Sequence, residues 1–156
     1  MKRSVHGITL IELLVAVAIL GILMLVGLPL TSSWIHGAQV SEAKSRLAQG
    51  YGLAKALSLR NPTKAQGTTA AASLVVDVAH SAMYVCAGAA ASCDASAATK
   101  VWQTSIATGI AITYQPPTGS AVAMSSLEFS NTGAPSLSAT QYTLTKGSQD
   151  ETVKLR

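Results

Sequence analysis

The chain has 156 residues, room for one globular domain and one accessory element. Its 49% hydrophobic content is concentrated in the first thirty residues; the rest is rich in Ala, Ser, Thr and Gly, with one Phe, two Trp and four Tyr, so any core is built from small side chains. The net charge is +4, and with Lys2 and Arg3 set aside nine basic residues face seven acidic ones, too even a balance for nucleic-acid binding by bulk charge.

Residues 13–30 form an 18-residue run without a charged or polar side chain. As a helix such a run rises about 27 Å, close to the thickness of a bilayer core. Lys2 and Arg3 precede it, which keeps the amino terminus cytoplasmic and sends the rest outward. An ordinary secretory signal is excluded because no small-residue cleavage site follows a short apolar core. A buried core helix is excluded by the length and unbroken apolar character of the run. A plain anchor passes both tests but leaves Glu12 unexplained. A carboxylate in or near hydrocarbon is costly unless it has a partner or sits at the interface beside Lys2 and Arg3. Pro29 removes one backbone hydrogen bond and predicts a kink or a locally melted stretch.

Beyond Pro29 the period is helical. Val40, Ala43, Leu47, Tyr51, Ala54 and Leu57 recur at three- and four-residue spacing and mark one apolar stripe, and Asn61-Pro62 ends the helix. A polar loop over 63–72 follows. The period then changes to two, with strands expected at 73–78, 82–86, 109–115, 126–130, 141–146 and 152–155. Asn131-Thr132-Gly133 and Lys146-Gly147-Ser148 are turn signals. The expected fold class is α+β: a long amino-terminal helix, transmembrane in its first half, packed on a small antiparallel β-sheet head.

Cys86 and Cys93 lie in a turn-rich stretch and form a local disulfide if the head lies outside the cytoplasm, or two free thiols otherwise. No nearby Cys or His pair completes a zinc site with them, and no cofactor or metal is expected. Of the three histidines, His6 precedes the apolar run, His36 sits on the helix, and His80 is three residues from Asp77. That odd spacing on a strand puts Asp77 and His80 on opposite faces, with His80 a surface or turn residue. No phosphate loop or nucleophile elbow is present, so no catalytic residue is expected. Trp102 and Phe129 read as core residues rather than a ligand platform.

Gly7-Ile8-Thr9-Leu10-Ile11-Glu12-Leu13-Leu14 resembles the signal of type IV pilins and type II secretion pseudopilins. That signal is a short basic leader ending in Gly, then a hydrophobic residue, with Glu fifth in the processed chain. The resemblance implies cleavage between Gly7 and Ile8 by a membrane prepilin peptidase, which also methylates the new amine of Ile8, a position where the family usually has Phe. It implies that Glu12 acts in assembly, and that Gly21 and Pro29 stand where pilins commonly carry a helix-weakening Gly and Pro. The implied organisation is a leader at 1–7, a membrane or filament-core helix at 8–30, its amphipathic continuation at 31–61 and a head at 62–156. The implied partners are the peptidase, sibling pilin subunits and an inner-membrane assembly platform. The implied location is the inner membrane with the head in the periplasm, and then the filament.

The second half resembles, more loosely, the minor pilins of FimT and FimU type and the H-type pseudopilin of type II secretion. The residues concerned are 54–61, the strand ending at Cys86, the loop to Cys93, Val101-Trp102, and Leu127-Glu128-Phe129 with the turn after it. Major pilins usually carry their disulfide near the carboxyl terminus, so the mid-chain pair implies a minor subunit. The expected role is structural, in a type IV pilus, with a type II secretion pseudopilus as the alternative. Some FimT-type pilins bind DNA through basic residues near the carboxyl terminus. Here those would be Lys146, Lys154 and Arg156, the last two on one face of the final strand by alternation, with Asp150 and Glu151 opposing them. The competing reading of these cations is an edge strand kept soluble by charge.

Overall fold

The computed structural model describes residues 8–137 and 141–155, with the backbone alone described for 25–31. One helix, α1 (Leu10–Arg60), precedes eight strands. They are β1 (Ala72–Asp77), β2 (Ala82–Ala87), β3 (Lys100–Ser105), β4 (Ala111–Gln115), β5 (Val122–Ala123), β6 (Ser126–Phe129), β7 (Gln141–Lys146) and β8 (Gln149–Val153), with a single 3-10 turn at Ala90–Ser92. The fold is α+β: a long amino-terminal helix and antiparallel sheet. The chain divides into two compact units, Met1–Ile35 and His36–Arg156.

In the second unit the strands form two four-stranded sheets rather than the one small sheet expected. Their orders are β3-β2-β1-β6 and β5-β4-β7-β8, and every pairing is antiparallel. Val40, Ala43, Leu47, Tyr51 and Ala54, spaced at three and four, all turn to one side of α1 and are at most 6% exposed. They meet Leu74, Val76, Met83, Val85, Leu127 and Phe129 of the first sheet and Ile112, Tyr142 and Leu144 of the second in one core. Leu57 packs at its margin.

Gly50 sits where the helix approaches the first sheet most closely. A β-carbon there would lie 3.0 Å from Leu74 Cδ1 and 3.1 Å from Trp102 Cζ3. The helical cost of glycine, about 1 kcal/mol, is thus exchanged for close packing. At the end of α1, Asn61 adopts a left-handed conformation (φ 45°), and its side chain bonds both the N–H and the carbonyl of Ala65. This local ring lets Asn61-Pro62 end the helix.

Two strands depart from the sequence expectation in existence and one in position. β3 is an edge strand whose one large inward residue is Trp102, so its alternation is weak, and β5 is only two residues long. The last strand starts at Gln149 rather than residue 152, because the turn after Lys146 is tight and Lys146 pairs with Gln149. Gly147 makes that turn with φ 59°, and a side chain there would meet His36 Nδ1 at 3.0 Å.

Tyr142 is 2% exposed in the core, and burial pushes its phenol pKa up to about 12, with Tyr51 and Tyr114 adding to the shift. Tyr51 is raised by burial as well. The folded state favours the neutral phenol, so this contribution is complete below pH 10 and is lost as the pH rises from 10 towards 12. An alkaline absorbance titration should therefore show late-ionising tyrosine, and stability measured by denaturant should fall by about 1.4 kcal/mol per pH unit across that window from Tyr142 alone.

Candidate functional site

The first unit holds the residues with a processing or assembly signature. Thr9 caps α1: its carbonyl accepts from the N–H groups of Glu12 (3.1 Å) and Leu13 (3.2 Å), and its hydroxyl accepts from Glu12 N–H at 3.3 Å. Glu12 lies in the first turn, where a carboxylate complements the positive end of the helix dipole. Thr9 was missed in the sequence reading, although its signal is present: Thr-x-x-Glu before an apolar run is a capping-box pattern. Gly7 lies outside the described residues, and Ile8 is 77% exposed just ahead of the cap.

Every side chain described over 8–24 is exposed, and apart from Thr9, Glu12 and Gly21 all of these residues are apolar. A helix that is apolar all round is covered by something other than water. The backbone stays helical through Gly21 and Pro29, so the melted stretch allowed for at Pro29 is not found. One proline withdraws a single donor from a ladder otherwise intact on both sides. No helix is long and apolar enough to cross a membrane among the described residues. The apolar run of the sequence continues to Leu30, through positions where only the backbone is described.

The other candidates lie in the second unit. Cys86 and Cys93 are joined by a disulfide with their Cα atoms 5.7 Å apart, and both are buried. With Ala82 and Tyr84 they form a small second cluster, against which Val75 and Ala97 pack. Strand alternation sends Leu74, Val76, Met83 and Val85 to the main core and leaves Val75, Tyr84 and Cys86 on the outer face of the first sheet. The disulfide closes the 3-10 turn over that face, and Glu128 accepts a hydrogen bond from Ala90 N–H at 2.7 Å. Lys100 lies 5.7 Å from the Tyr84 ring centre and bonds Gln103 Oε1 at 2.9 Å and the Ala95 carbonyl. Asp94 accepts from the N–H and hydroxyl of Ser96, which holds its carboxyl below the usual range. Replacing both cysteines by alanine should remove about 2–3 kcal/mol of stability through the freed loop entropy. Comparison of oxidised wild type with the double variant in denaturant melts checks this.

Asp77 and His80 do not point to opposite faces as alternation required. β1 ends at Asp77, and the turn brings His80 Nδ1 to 2.7 Å from Asp77 Oδ2, while His80 N–H donates to Oδ1 at 3.0 Å. These bonds hold the Asp77 carboxyl below its ordinary pKa. The pair is an exposed turn lock. Trp102 packs half-buried against the main core, and Phe129 is fully buried in it.

β8 ends at Val153, so Lys154 lies beyond the strand, and Arg156 is outside the described residues. Lys146 faces Gln149 across the hairpin. Asp150 and Glu151, which the sequence set against the basic residues, lie on this strand itself, and Glu151 pairs with Lys44 of α1 at 3.0 Å. Among the described residues there is no cluster of three or more His, Cys, Asp or Glu side chains able to hold a metal.

Neither curated proteins nor solved structures gave a match to the chain. The prokaryotic N-terminal methylation motif matches residues 2–28. That segment includes Gly7, Ile8, the Thr9 cap and Glu12. The match supports a type IV pilin-like or pseudopilin-like substrate of prepilin peptidase.

Proposed function

We propose that the chain is a minor subunit of a type IV pilus, cleaved between Gly7 and Ile8 and N-methylated at Ile8. It is stored in the inner membrane by one pass of α1, with the head in the periplasm, until an assembly platform draws it into the filament. The observation that supports this most is the start of α1: a capped helix, exposed on every side and apolar over most of residues 8–24, with one carboxylate in its first turn. Lipid covers such a helix before assembly, and neighbouring helices cover it afterwards.

Cleavage after Gly7 creates an amine four residues ahead of Glu12, about 6 Å along a helix axis. In a stagger of parallel subunits the Glu12 carboxylate of one meets the amine of the next. Apolar association supplies the attraction, and the charge pair penalises helices that pack out of step. The mid-chain position of the Cys86–Cys93 disulfide supports a minor rather than a major subunit. Substituting Gly7 by Val should leave the leader attached, and intact mass should then include residues 1–7. Mature wild-type protein should begin at methylated Ile8, and any other terminus refutes the cleavage assignment. Deleting the gene should remove surface pili and leave secreted proteins unchanged; the reverse outcome assigns the chain to a type II secretion pseudopilus.

A further inference from the structure

Trp34 has no role in the reading above, and it is 81% exposed near the carboxyl-terminal end of the first unit, with Ile35 beside it at 46%. It stands four residues past Leu30, beyond Thr31, Ser32 and Ser33, where the apolar run gives way to polar residues. From Glu12 to Trp34 a straight helix rises about 33 Å, against a hydrocarbon core of about 30 Å. The carboxylate and the indole thus bracket the apolar span at the separation of the two bilayer boundaries.

We infer that Trp34 is the outer-interface anchor of the stored subunit, its ring lodged among phospholipid headgroups. The inference rests on the membrane-storage reading proposed above. An indole suits this zone because its apolar body leaves water while its N–H still finds a headgroup or water oxygen, whereas a deeper position would strand that donor. Lys2 and Arg3 hold the inner face before cleavage and the charged Ile8 amine holds it afterwards, so a second anchor at the outer face fixes how far α1 can slide along the membrane normal. Glu12 is thereby kept at the inner boundary rather than drawn into hydrocarbon.

The test uses the full chain reconstituted into phosphatidylcholine–phosphatidylglycerol vesicles containing lipids brominated either near the headgroup or near the chain ends. The chain has two tryptophans, Trp34 and Trp102, so the Trp34 signal is the difference between wild type and Trp34→Phe. Flotation with the vesicles, a blue-shifted Trp34 signal, and quenching about twofold stronger by the shallow bromines than by the deep ones are expected. If the chain floats but Trp34 emits as in water, or is quenched more strongly by the deep bromines, the anchor assignment is wrong and membrane storage stands. If the blue shift appears only as the protein-to-lipid ratio rises, a second copy covers Trp34 and the lipid assignment is likewise overturned. A chain that does not float at all overturns both.

Discussion

Replacing Glu12 by Ala should leave cleavage at Gly7 intact and lower incorporation into filaments at least tenfold. Cleavage depends on the residues flanking the cut, whereas incorporation depends on what happens when two helices leave lipid together. With Glu12 present, the carboxylate and the neighbour's amine are desolvated as a pair. With Ala the amine is buried alone, and leaving one member of a buried pair uncompensated costs about 3–5 kcal/mol. The variant should therefore accumulate in the membrane as mature protein. Glu12→Gln separates charge from shape, since it keeps the volume and some hydrogen-bonding capacity, and it should be nearly as defective. The measurement is the ratio of sheared-filament to membrane-bound subunit on quantitative blots. Normal incorporation of Glu12→Ala would remove the pairing account. Thr9→Ala serves as the structural control: it loses a cap worth about 1 kcal/mol but no charge, so incorporation should fall only slightly.

The second large effect is expected in the head. Phe129 is fully buried, lies in edge-to-face contact with Tyr51 at 5.2 Å between ring centres, and pairs with Ala72 of β1. Its carbonyl accepts from Ala71 N–H at 2.8 Å. It is the chain's one phenylalanine, in a core otherwise built of Leu, Val, Ile, Ala and Met with Tyr51 and Tyr142. Small neighbours fixed to strands cannot collapse into the vacated volume, so Phe129→Ala should cost about 3–5 kcal/mol. Against a total stability of about 5–15 kcal/mol, that leaves a marginal head. The melting temperature, followed by near-ultraviolet dichroism in detergent, should fall by roughly 10–25 °C. Phe129→Leu, which keeps most of the volume, should recover more than half of the loss. A melting point unchanged in Phe129→Ala would mean that this core is not the one that holds the head together.

The two effects act on different links of the chain from sequence to function. Glu12 is exposed within its own unit, and in the proposed assembly its carboxylate acts between copies. Phe129 acts within one copy, by holding the first sheet against α1. Assembly-defective Glu12 variants should accordingly show wild-type melting of the head, and Phe129 variants should be degraded rather than merely unassembled.

The amino-terminal signal and the helix were legible in the residues because both are local. Apolar character, the Gly7–Glu12 motif and the three-and-four stripe from Val40 to Ala54 are short-range properties of the sequence, and the helix satisfies its own backbone. Most strands were legible for the same reason, since period two survives wherever one face meets a core. What the sequence left open was everything set by distant partners. Strand β6 leaves its sequence neighbours to pair with β1, which splits the strands into two sheets, and no local pattern encodes that choice. Strand β3, with a single inward aromatic, became visible only when β2 supplied its hydrogen bonds. The Asp77–His80 lock depended on where β1 stopped, a boundary set by its pairing of Asp77 with Ala82. Glu151 of β8 keeps company with the helix because Lys44 stands opposite it. Local periodicity thus determined the helix and most strands, and a short local motif carried the amino-terminal signal, while long-range pairing, whose partners lie tens of residues apart, decided the sheets, the edges and the company each charged side chain keeps.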